Sequence, residues 1–515
     1  MIHLQDKISG YILDKQQQDI VLDSSQNLLV VAGAGSGKTL TILGKIYYLV
    51  KYKKILPEEI LCISFTRASS SSLEQKINKD LSLNVPVYTF HKLALEILKQ
   101  CSKEYKITSV DTLELIINEF FTIDILKFPK HMKCFLEYFG IYVKENIKQQ
   151  YLNFYCSAKN KIKVFCNLIF TFISLFKSNS YVLSDFIKFL KKSRLTFSYL
   201  QYRKEKIFLI FTLNIFLKYQ SYLQENNEID FNDMITLATE YVNKNEFNKD
   251  YKYIIIDEYQ DTSYVRFQLI KSILRKIPAK LMVVGDDFQS IYRFTGCDIS
   301  LFLNFSRYFK DAKIKKIENT YRNSQELIEV AGTFVMCNRS QIPKKLSANK
   351  HINKPVKIYY YENIKQDFLT FLITLYKQKF YKIMIVGRNN NDIKKLLPNE
   401  CKLDTNGKIF IEKMPDLQIY YLTAHKSKGL EEENVIIINL IKDKLGFPND
   451  ILDDKILRFV SLKKEKYKYA EERRLFYVAL TRTKNFVYLY VPRNNISPFV
   501  KELLKKNKDF IEVIT

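Results

Sequence analysis

The chain has 515 residues, of which 47% are hydrophobic, so it can bury the cores of about three domains and is not intrinsically disordered. Lysine and arginine number 81 against 55 acidic residues, and the net charge of +26 favours a polyanionic partner. A compositional bias towards lysine is the alternative, but it does not explain the shortage of acids. The eight cysteines form no CxxC pair, and residues 1–15 lack an apolar signal segment. We therefore expect a cytoplasmic protein without a zinc site, a disulfide framework or membrane association.

Two groups of β-rich runs, separated by helical stretches, predict an α/β protein with two parallel sheets flanked by helices. The first group comprises Asn27–Ala32, Ile60–Phe65, Val85–Thr89, Tyr253–Asp257 and Ala279–Gly285. The second group comprises Ile314–Ile317, Ile383–Val386, Tyr420–Thr423, Val435–Asn439 and Phe486–Val491. We expect a first domain at 1–100 and 246–310, and a second domain at 311–515.

Residues 101–245 are helical in pattern and rich in Phe, Leu, Lys and Tyr, which predicts a helical insertion in the first domain. The longest apolar stretch, Val164–Phe176, lies within it and contains three polar residues. It is too short to span a bilayer, so we expect a buried helix.

A glycine-rich loop follows the first predicted strand. Residues 32–39 read Ala-Gly-Ala-Gly-Ser-Gly-Lys-Thr, which is the P-loop pattern except that Ala32 stands where glycine is usual. Backbone N–H groups of such a loop cradle phosphates, Lys38 would reach the β- and γ-phosphate oxygens, and Thr39 would bind Mg²⁺. The residues expected to bind ATP here are Ala32, Gly33, Ala34, Gly35, Ser36, Gly37, Lys38 and Thr39.

An acidic pair ends another predicted strand, in Ile254-Ile-Ile-Asp-Glu-Tyr-Gln-Asp261. Asp257 would hold Mg²⁺ through water, and Glu258 would accept a proton from the attacking water. Such a pair alone is more often a solvated turn, but the three preceding isoleucines favour the catalytic interpretation.

The segment at 285–296, Gly-Asp-Asp-Phe-Gln-Ser-Ile-Tyr-Arg-Phe-Thr-Gly, combines two chemistries. Gln289 is suited to sensing a phosphate, whereas Tyr292 and Phe294 are flat rings suited to stacking on unpaired bases. Core packing is the alternative for each ring, and we accept it for the Phe and Tyr residues of the helical insertion. Phosphate chemistry also needs positive charge from a second domain, for which Arg322 and Arg482 are the candidates.

These segments together resemble the superfamily 1 DNA helicases of the UvrD/Rep type, from about residue 13 to residue 492. In chain order, the resembling segments are Leu13-Asp-Lys-Gln-Gln17, the P-loop, Ile63-Ser-Phe-Thr-Arg67, Tyr88-Thr-Phe-His91, Ile229-Asp-Phe-Asn-Asp-Met234, Asp257-Glu-Tyr-Gln260, residues 285–296, Asn319-Thr-Tyr-Arg322, Thr423-Ala-His-Lys-Ser-Lys-Gly-Leu-Glu431 and the segment around Arg482. The sequences of residues 285–298 and 338–346 are similar to those of the helicase IV branch, which usually has Trp where Phe288 stands.

The resemblance implies two domains of the RecA-like P-loop type and a role for each matching residue. Gln17 would read adenine, Tyr321 would stack on it, and Glu431 would hold the ribose. The γ-phosphate would be gripped by Gln289, Arg322 and Arg482. The track that binds single-stranded DNA would be lined by Phe65, His91, Tyr292, Phe294 and His425.

The resemblance also sets expectations about missing parts. The P-loop lies too near residue 1 for the N-terminal domain of helicase IV, and the chain continues too briefly after Arg482 for a fused nuclease. Only residues 388–419 remain for the accessory 2B domain of UvrD and Rep, which is too few for an independent domain. We expect that domain to be absent or vestigial.

The sequence therefore predicts an ATP- and Mg²⁺-dependent motor on single-stranded DNA and its junctions with duplex, moving 3′→5′ by resemblance. A first alternative is a protein-displacing translocase, or a subunit of a repair, recombination or phage-defence complex, that unwinds little on its own. A second is a nucleotide-dependent binding switch, against which the full set of catalytic residues argues. RNA as the polymer is left open by charge and stacking alone.

Overall fold

The computed structural model describes residues 6–100, 104–143, 146–196, 198–244, 247–451, 453–461, 465 and 467–514. The predicted domain limits at residues 1, 101, 245, 246 and 515 lie outside these ranges.

The first α/β unit is split along the chain. Before the insertion, its elements are α1 (Lys15–Val21), β1 (Asn27–Ala32), α2 (Lys38–Lys51), β2 (Ile60–Ser64), α3 (Arg67–Lys76), β3 (Val87–Thr89) and α4 (Phe90–Lys99). The helical region then contains β4 (Lys106–Ile107), α5 (Thr112–Thr122), α6 (Pro129–Tyr138), α7 (Ile147–Ser157), α8 (Lys159–Ser178), α9 (Leu183–Ser193), α10 (Tyr199–Glu225) and β5 (Glu228–Ile229). The first unit continues with α11 (Phe231–Asn243), β6 (Tyr253–Ile256), α12 (Tyr264–Lys276), β7 (Lys280–Gly285), α13 (Ile299–Leu303), α14 (Phe305–Tyr308) and β8 (Ala312–Ile317).

The strands of the first unit form a parallel sheet in the order β3-β2-β6-β7-β1-β8. Strands β1, β2, β6 and β7 are almost wholly buried, because helices cover both faces of a parallel sheet and their Ile, Leu and Val side chains fill both. The carboxyl ends of β1 and β6 lead directly into the P-loop and the acidic pair, which places both at the same edge of the sheet. The prediction of an α/β fold is confirmed.

The prediction for residues 314–317 was wrong. Strand β8 does not belong to the second sheet but pairs with β1 at the edge of the first, with Asn27 opposite Ala312 and Ala32 opposite Ile317. Its lysine-rich sequence suits an edge strand, whose outward side chains are solvated. The first sheet therefore extends beyond the predicted limit at residue 310.

The helical region is bracketed by the short parallel pair of β4 and β5. Helix α8 spans the predicted apolar stretch and buries Phe165, Ile169, Phe172 and Phe176, spaced so that they share one face. In the part of the chain that the structure describes, no helix is long and apolar enough to cross a membrane. Helix α11, predicted as part of the insertion, instead packs its buried residues into the core beneath the first sheet.

The second unit contains α15 (Gln325–Val335), β9 (Val356–Tyr361), α16 (Ile364–Lys377), β10 (Lys382–Gly387), α17 (Asp392–Leu396), β11 (Cys401–Leu403), β12 (Lys408–Ile411), β13 (Gln418–Thr423), β14 (Asn434–Ile437), α18 (Ala470–Leu480), β15 (Val487–Pro492), α19 (Pro498–Lys506) and β16 (Ile511–Ile514). Its sheet has the order β11-β12-β13-β10-β14-β15-β9-β16, parallel except for β11 and β12. Residues 388–417, where an accessory domain would be inserted, form α17 and this antiparallel edge hairpin.

A segment of the second unit clasps the helical region. The 3₁₀ turn Lys455–Phe459 buries Ile456, Leu457 and Phe459 in the core of the helical region. Arg458 donates two hydrogen bonds of 2.7 Å to the buried carboxylate of Glu205 on α10. Residues 455–460, which we call the clasp, therefore connect the second sheet unit to the insertion of the first.

Candidate active site and nucleic-acid interface

The loop between β1 and α2 has the backbone of a phosphate cradle. Gly35 and Gly37 have φ angles of +70° and +78°, which favour glycine, and α2 begins at Lys38 with its free N–H groups towards the loop. A Cβ on Gly35 would lie 2.5 Å from Cβ of Arg322, so the loop and Arg322 are in close contact. The Ser36 hydroxyl is buried and has no hydrogen-bond partner among the described residues.

Lys38 and Glu258 form an ion pair with 3.0 Å between Nζ and Oε1. Burial lowers the pKa of Lys38, but nearby carboxylates, with Glu258 the strongest, outweigh burial and raise it. Burial raises the pKa of Glu258, whereas Lys38 and Lys428 lower it more, so this carboxyl is ionised at neutral pH. Burial and the charge of Glu258 raise the pKa of neighbouring Asp257. One carboxyl of the pair is thus held as a charged proton acceptor.

A cleft of about 440 Å³ opens over this loop, between the two sheet units. The predicted residues that line it are Gly35, Ser36, Gly37, Lys38, Thr39, Glu258, Gln289, Tyr321, Arg322, Glu431 and Arg482. Residues 35–39, 258 and 289 come from the first unit, whereas Glu431 and Arg482 come from the second. The cleft can therefore bind one small anion through both units at once.

Sequence reasoning missed two lysines in this lining, Lys350 and Lys484. Nζ of Lys484 lies 3.1 Å from Oε1 of Glu431. Lys484 is also two residues from Arg482 in the chain, and this proximity to a predicted residue could have identified it. Lys350 donates hydrogen bonds to the carbonyl of Lys484 and to Asn485. No local pattern marks Lys350, because only the return of the chain after α15 brings it to the cleft.

Gln289 and Arg482 meet in the depth of the cleft, and both are buried. Arg482 donates from Nη2 to Oε1 of Gln289 over 3.3 Å, and Gln289 donates from Nε2 to Asp286 over 2.6 Å. Burial and neighbouring Arg322 lower the pKa of Arg482 to about 9, so it remains a cation at neutral pH. One side chain from each unit therefore meets the other in the cleft.

The remaining predicted nucleotide residues surround the cleft rather than line it. Gln17 is buried, caps α1 through the N–H of Asp14, and donates from Nε2 to the Ser36 carbonyl over 3.2 Å. Its amide is therefore already hydrogen-bonded to the loop. Ala32, Gly33 and Ala34 are buried beneath the loop.

Tyr321 and Glu431 lie at the mouth of the cleft. Tyr321 is 61% exposed, and its hydroxyl donates to Asp14 over 2.7 Å, which leaves a ring face open for stacking. Glu431 accepts a hydrogen bond of 2.6 Å from Nε of Arg322. A sugar hydroxyl reaching Glu431 would compete with this ion pair.

Four of the five predicted DNA-contacting rings come together, namely Phe65, Tyr292, Phe294 and His425, which we call the ring cluster. Phe65 and Tyr292 stack with centroids 5.5 Å apart and planes at 17°, and Phe294 meets His425 edge to face at 5.5 Å. Tyr292 lies 6.2 Å from both Phe294 and His425. Phe294 is 58% exposed, so it offers a free ring to a base.

His91, the fifth predicted ring, lies at the start of α4 and packs on Phe231 with centroids 4.9 Å apart, rather than on the ring cluster. Arg266 lies between the two places, 4.7 Å above the Phe65 ring. Burial and the charge of Arg266 lower the pKa of His91 to about 4. His91 is therefore neutral at physiological pH.

Lys428, which sequence reasoning did not single out, connects the cleft with the ring cluster. It pairs with Asp261, donates 2.7 Å to the Gln289 carbonyl and lies 5.0 Å from the centroid of Tyr292. Tyr292 in turn donates to the His425 carbonyl over 3.3 Å. Contacts between the two units thus run from Gln289 in the cleft to the ring cluster.

The residues present fit ATP with Mg²⁺. The cleft holds a glycine-rich cradle, a hydroxyl and carboxylates suited to a hard cation, and the cations Lys38, Arg322 and Arg482 for phosphate oxygens. The open face of Tyr321 suits a purine ring.

The family model for the UvrD/REP helicase N-terminal domain matches residues 13–310, and the model for the UvrD-like helicase C-terminal domain matches residues 410–494. The chain is 29% identical to DNA helicase IV of Escherichia coli (strain K12) over 504 residues, covering 96% of this chain and 70% of that protein. It is 29% identical over 348 residues to ATP-dependent DNA helicase Rep of Buchnera aphidicola subsp. Schizaphis graminum (strain Sg), covering 66% of this chain and 46% of Rep. The probable DNA helicase of Mycoplasma pneumoniae (strain ATCC 29342 / M129 / Subtype 1) is 26% identical over 493 residues, with 93% and 83% covered.

The N-terminal family model alone covers more than half of the chain, and the C-terminal model matches the part of the second unit that carries His425, Glu431 and Arg482. The fold agrees with these matches, because it consists of two RecA-like α/β units with the P-loop of the first unit in the cleft between them. The chain belongs to the UvrD/Rep family of DNA helicases.

Proposed function

We propose that this protein is an ATP-dependent DNA helicase that moves along single-stranded DNA, with 3′→5′ polarity. The observation that carries the proposal is the position of one segment, 285–296. Its Gln289 lies in the cleft against Arg482, and its Tyr292 lies in the ring cluster against His425. A movement of Gln289 at the phosphate end of the cleft would therefore be transmitted along this segment to Tyr292 at the base-stacking surface.

The residues of the cleft have distinct tasks in hydrolysis. Mg²⁺, bound by Thr39 and Asp257, would neutralise phosphate charge when present. Lys38 would leave Glu258 for the phosphate oxygens, because a polyphosphate carries more negative charge than one carboxylate. Glu258, ionised by its environment, is then free to accept the proton of the attacking water.

Arg482 from the second unit and Arg322, which lies against the loop, would stabilise charge that develops during transfer. Binding of ATP draws the two units together through these side chains, and loss of the γ-phosphate releases them. Tyr321 would stack on the adenine and Glu431 would hold the ribose. Gln17 would read the adenine edge after releasing Asp14 or Ser36.

On the DNA side, the ring cluster stacks on successive bases regardless of their sequence. The excess of basic residues supplies the phosphate contacts that hold a nucleic acid strand. Alternate closing and opening of the cleft would shift Tyr292 and Phe294 relative to His425, and so advance the strand.

The test measures ATP hydrolysis by the purified chain with single-stranded DNA, duplex DNA and RNA in parallel. We expect single-stranded DNA to stimulate hydrolysis most, and Lys38→Ala to remove hydrolysis while DNA binding is retained. Lys79→Ala, a change at an exposed lysine, is the matched control. A rate that no nucleic acid changes would contradict the motor and favour a nucleotide-dependent switch.

Polarity and strand separation need tailed duplexes. We expect a duplex with a 3′ single-stranded tail to be unwound and one with only a 5′ tail to be left intact. Unwinding of the 5′-tailed duplex alone would overturn the polarity.

A second candidate is a translocase that displaces proteins and unwinds little by itself. It is favoured by residues 388–417, which form α17 and an edge hairpin of the second sheet rather than a separate duplex-contacting domain. Displacement of streptavidin from biotinylated single-stranded DNA, without unwinding of a forked duplex, would select this function. Such a protein could work as a subunit of a repair, recombination or phage-defence complex.

A further inference from the structure

A buried charge cluster lies directly beside Gln289 and consists of Asp286, Asp287 and Lys344. Nζ of Lys344 pairs with Oδ1 of Asp286 and lies 2.7 Å from Oδ1 of Asp287. All three side chains are fully buried. The same ammonium lies 3.5 Å from the ring centroid of Phe288, within the range of a cation–π contact. The phosphate-sensing segment is therefore held by a cation from a distant part of the chain.

The backbone around Lys344 is fixed on both sides, so its position is built into the fold. Upstream, the N–H of Ile342 donates to Oδ2 of Asp287 over 2.9 Å. Downstream, the N–H of Ser347 donates to the carbonyl of Glu318 over 2.8 Å. Residues 342–347 thus return from α15 to the first sheet and deliver Lys344 beneath the cleft.

Phe288, for which the sequence predicts no role, is the residue of the segment whose ring contacts the second unit. Its ring is 1% exposed and meets the ring of Tyr477 on α18 at 5.4 Å and 81°. The segment 286–289 is therefore fixed between Lys344 on one side and the second unit on the other.

The charge of Asp286 reaches the catalytic groups. Asp286 accepts the hydrogen bond that orients Gln289. Its negative charge contributes to the raised pKa of Lys38, and it partly opposes the burial and the Arg322 charge that lower the pKa of Arg482. One ammonium faces two buried carboxyl groups here. Without Lys344, Asp286 would attract Lys38 and Arg482 more strongly, and these are the cations that a phosphate needs.

We propose that Lys344 is a positioning residue for ATP hydrolysis: it holds Asp286 so that Gln289 faces Arg482 and the cleft keeps its cations for phosphate. This inference rests on the proposed ATPase. Lys344 is not among the side chains that line the cleft, and it acts through Asp286.

The test compares Lys344→Met with Lys345→Met, because Lys345 is the exposed neighbour in the same segment. For Lys344→Met we expect kcat of DNA-stimulated hydrolysis to fall by about 10–100-fold, as for misplaced catalytic groups. KM for ATP should rise by a smaller factor, because Lys38 and Arg482 are then drawn towards Asp286. Lys345→Met should keep the kcat of the unaltered protein. Equal kcat values for the two variants would overturn the proposal.

A second comparison separates charge balance from packing damage, and it also applies if Lys344→Met does not fold. Lys344→Met/Asp287→Asn buries one carboxylate fewer than Lys344→Met, so part of the lost kcat should return. The double variant should still have a lower kcat than Asp287→Asn alone, because Asp286 remains without its cation. A double variant equal to Asp287→Asn would show that Lys344 does not position Gln289. If the unaltered protein itself shows no DNA-stimulated hydrolysis, the proposed function fails instead.

Discussion

Arg482, just after α18, donates a hydrogen bond to Gln289, which follows β7, and so joins the two sheet units within the cleft. The side chain is held from behind by the carbonyls of Val478 and Leu430, at 2.8 and 3.2 Å. Arg482 is therefore preorganised before any nucleotide arrives, which is the arrangement that favours stabilisation of developing charge.

For Arg482→Ala, we expect kcat of ATP hydrolysis to fall by about 10³-fold or more, as for arginine fingers, with a modest loss of ATP affinity. Steady-state hydrolysis and binding of a fluorescent ATP analogue measure the two effects. Arg493→Ala removes an exposed arginine whose partner, Glu362, is also exposed, and should change neither. A fall confined to ATP affinity would mean that Arg482 binds the ground state only.

Phe294 is the most open ring of the cluster, so its loss tests stacking with little damage to the core. Phe294→Ala should weaken single-stranded DNA binding by about 1–3 kcal/mol, the contribution of one stacked base. Fluorescence anisotropy with a labelled oligonucleotide measures this change. Phe410→Ala, at an exposed phenylalanine on β12, provides the matched control. Normal affinity and normal translocation of Phe294→Ala would assign this ring to packing.

His425 should make the protein sensitive to acid. Burial, with help from Arg388 and Lys428, lowers the pKa of His425 to about 4. In the unfolded chain this histidine binds a proton near pH 6.5, whereas in the folded protein it does so only near pH 4. Its contribution to the free energy of unfolding is therefore fully present above pH 6.5 and is lost as pH falls towards 4. At pH 5 this histidine alone should remove about 2 kcal/mol.

Urea unfolding at pH 7 and pH 5 tests this dependence. His425→Gln should lose less stability between the two pH values than the unaltered protein does. His351→Gln, at an exposed histidine beside Glu326, should retain the full loss. Identical losses for all three proteins would contradict the role given to His425.

The clasp should stabilise the helical region through Arg458. Arg458→Ala leaves the carboxylate of Glu205, which is 1% exposed, without its cation, and we expect a loss of up to about 3 kcal/mol in unfolding free energy. Arg458→Ala/Glu205→Gln should recover part of it, because the buried charge is then gone. Lys455→Ala, on the exposed side of the same turn, should have little effect. Thermal unfolding of the three variants decides whether the clasp is a structural connection or a passive contact.

Much of the lining of the candidate cleft could be predicted because several of its residues follow the ends of strands. Lys38 and Glu258 follow β1 and β6 within a few positions, and parallel strands place their carboxyl ends at one edge. The strand at 312–317 could not be assigned to its sheet, since the choice of a parallel partner depends on a crossover rather than on local sequence. Lys350 and Lys344 could not be predicted for a related reason. Each reaches its position because the chain returns to the first unit after α15, and no short sequence pattern encodes that return.

The sequence by itself determined the α/β class, the phosphate-binding loop, the acidic pair and the aromatic segment, because each depends on residues close together in the chain. Only the tertiary structure decided that Gln289 faces Arg482, that Phe288 lies between Lys344 and Tyr477, and that residues 455–460 pack into the helical region. Those contacts join residues far apart in sequence, and they form where the packing of two units excludes water and fixes which charges must be paired.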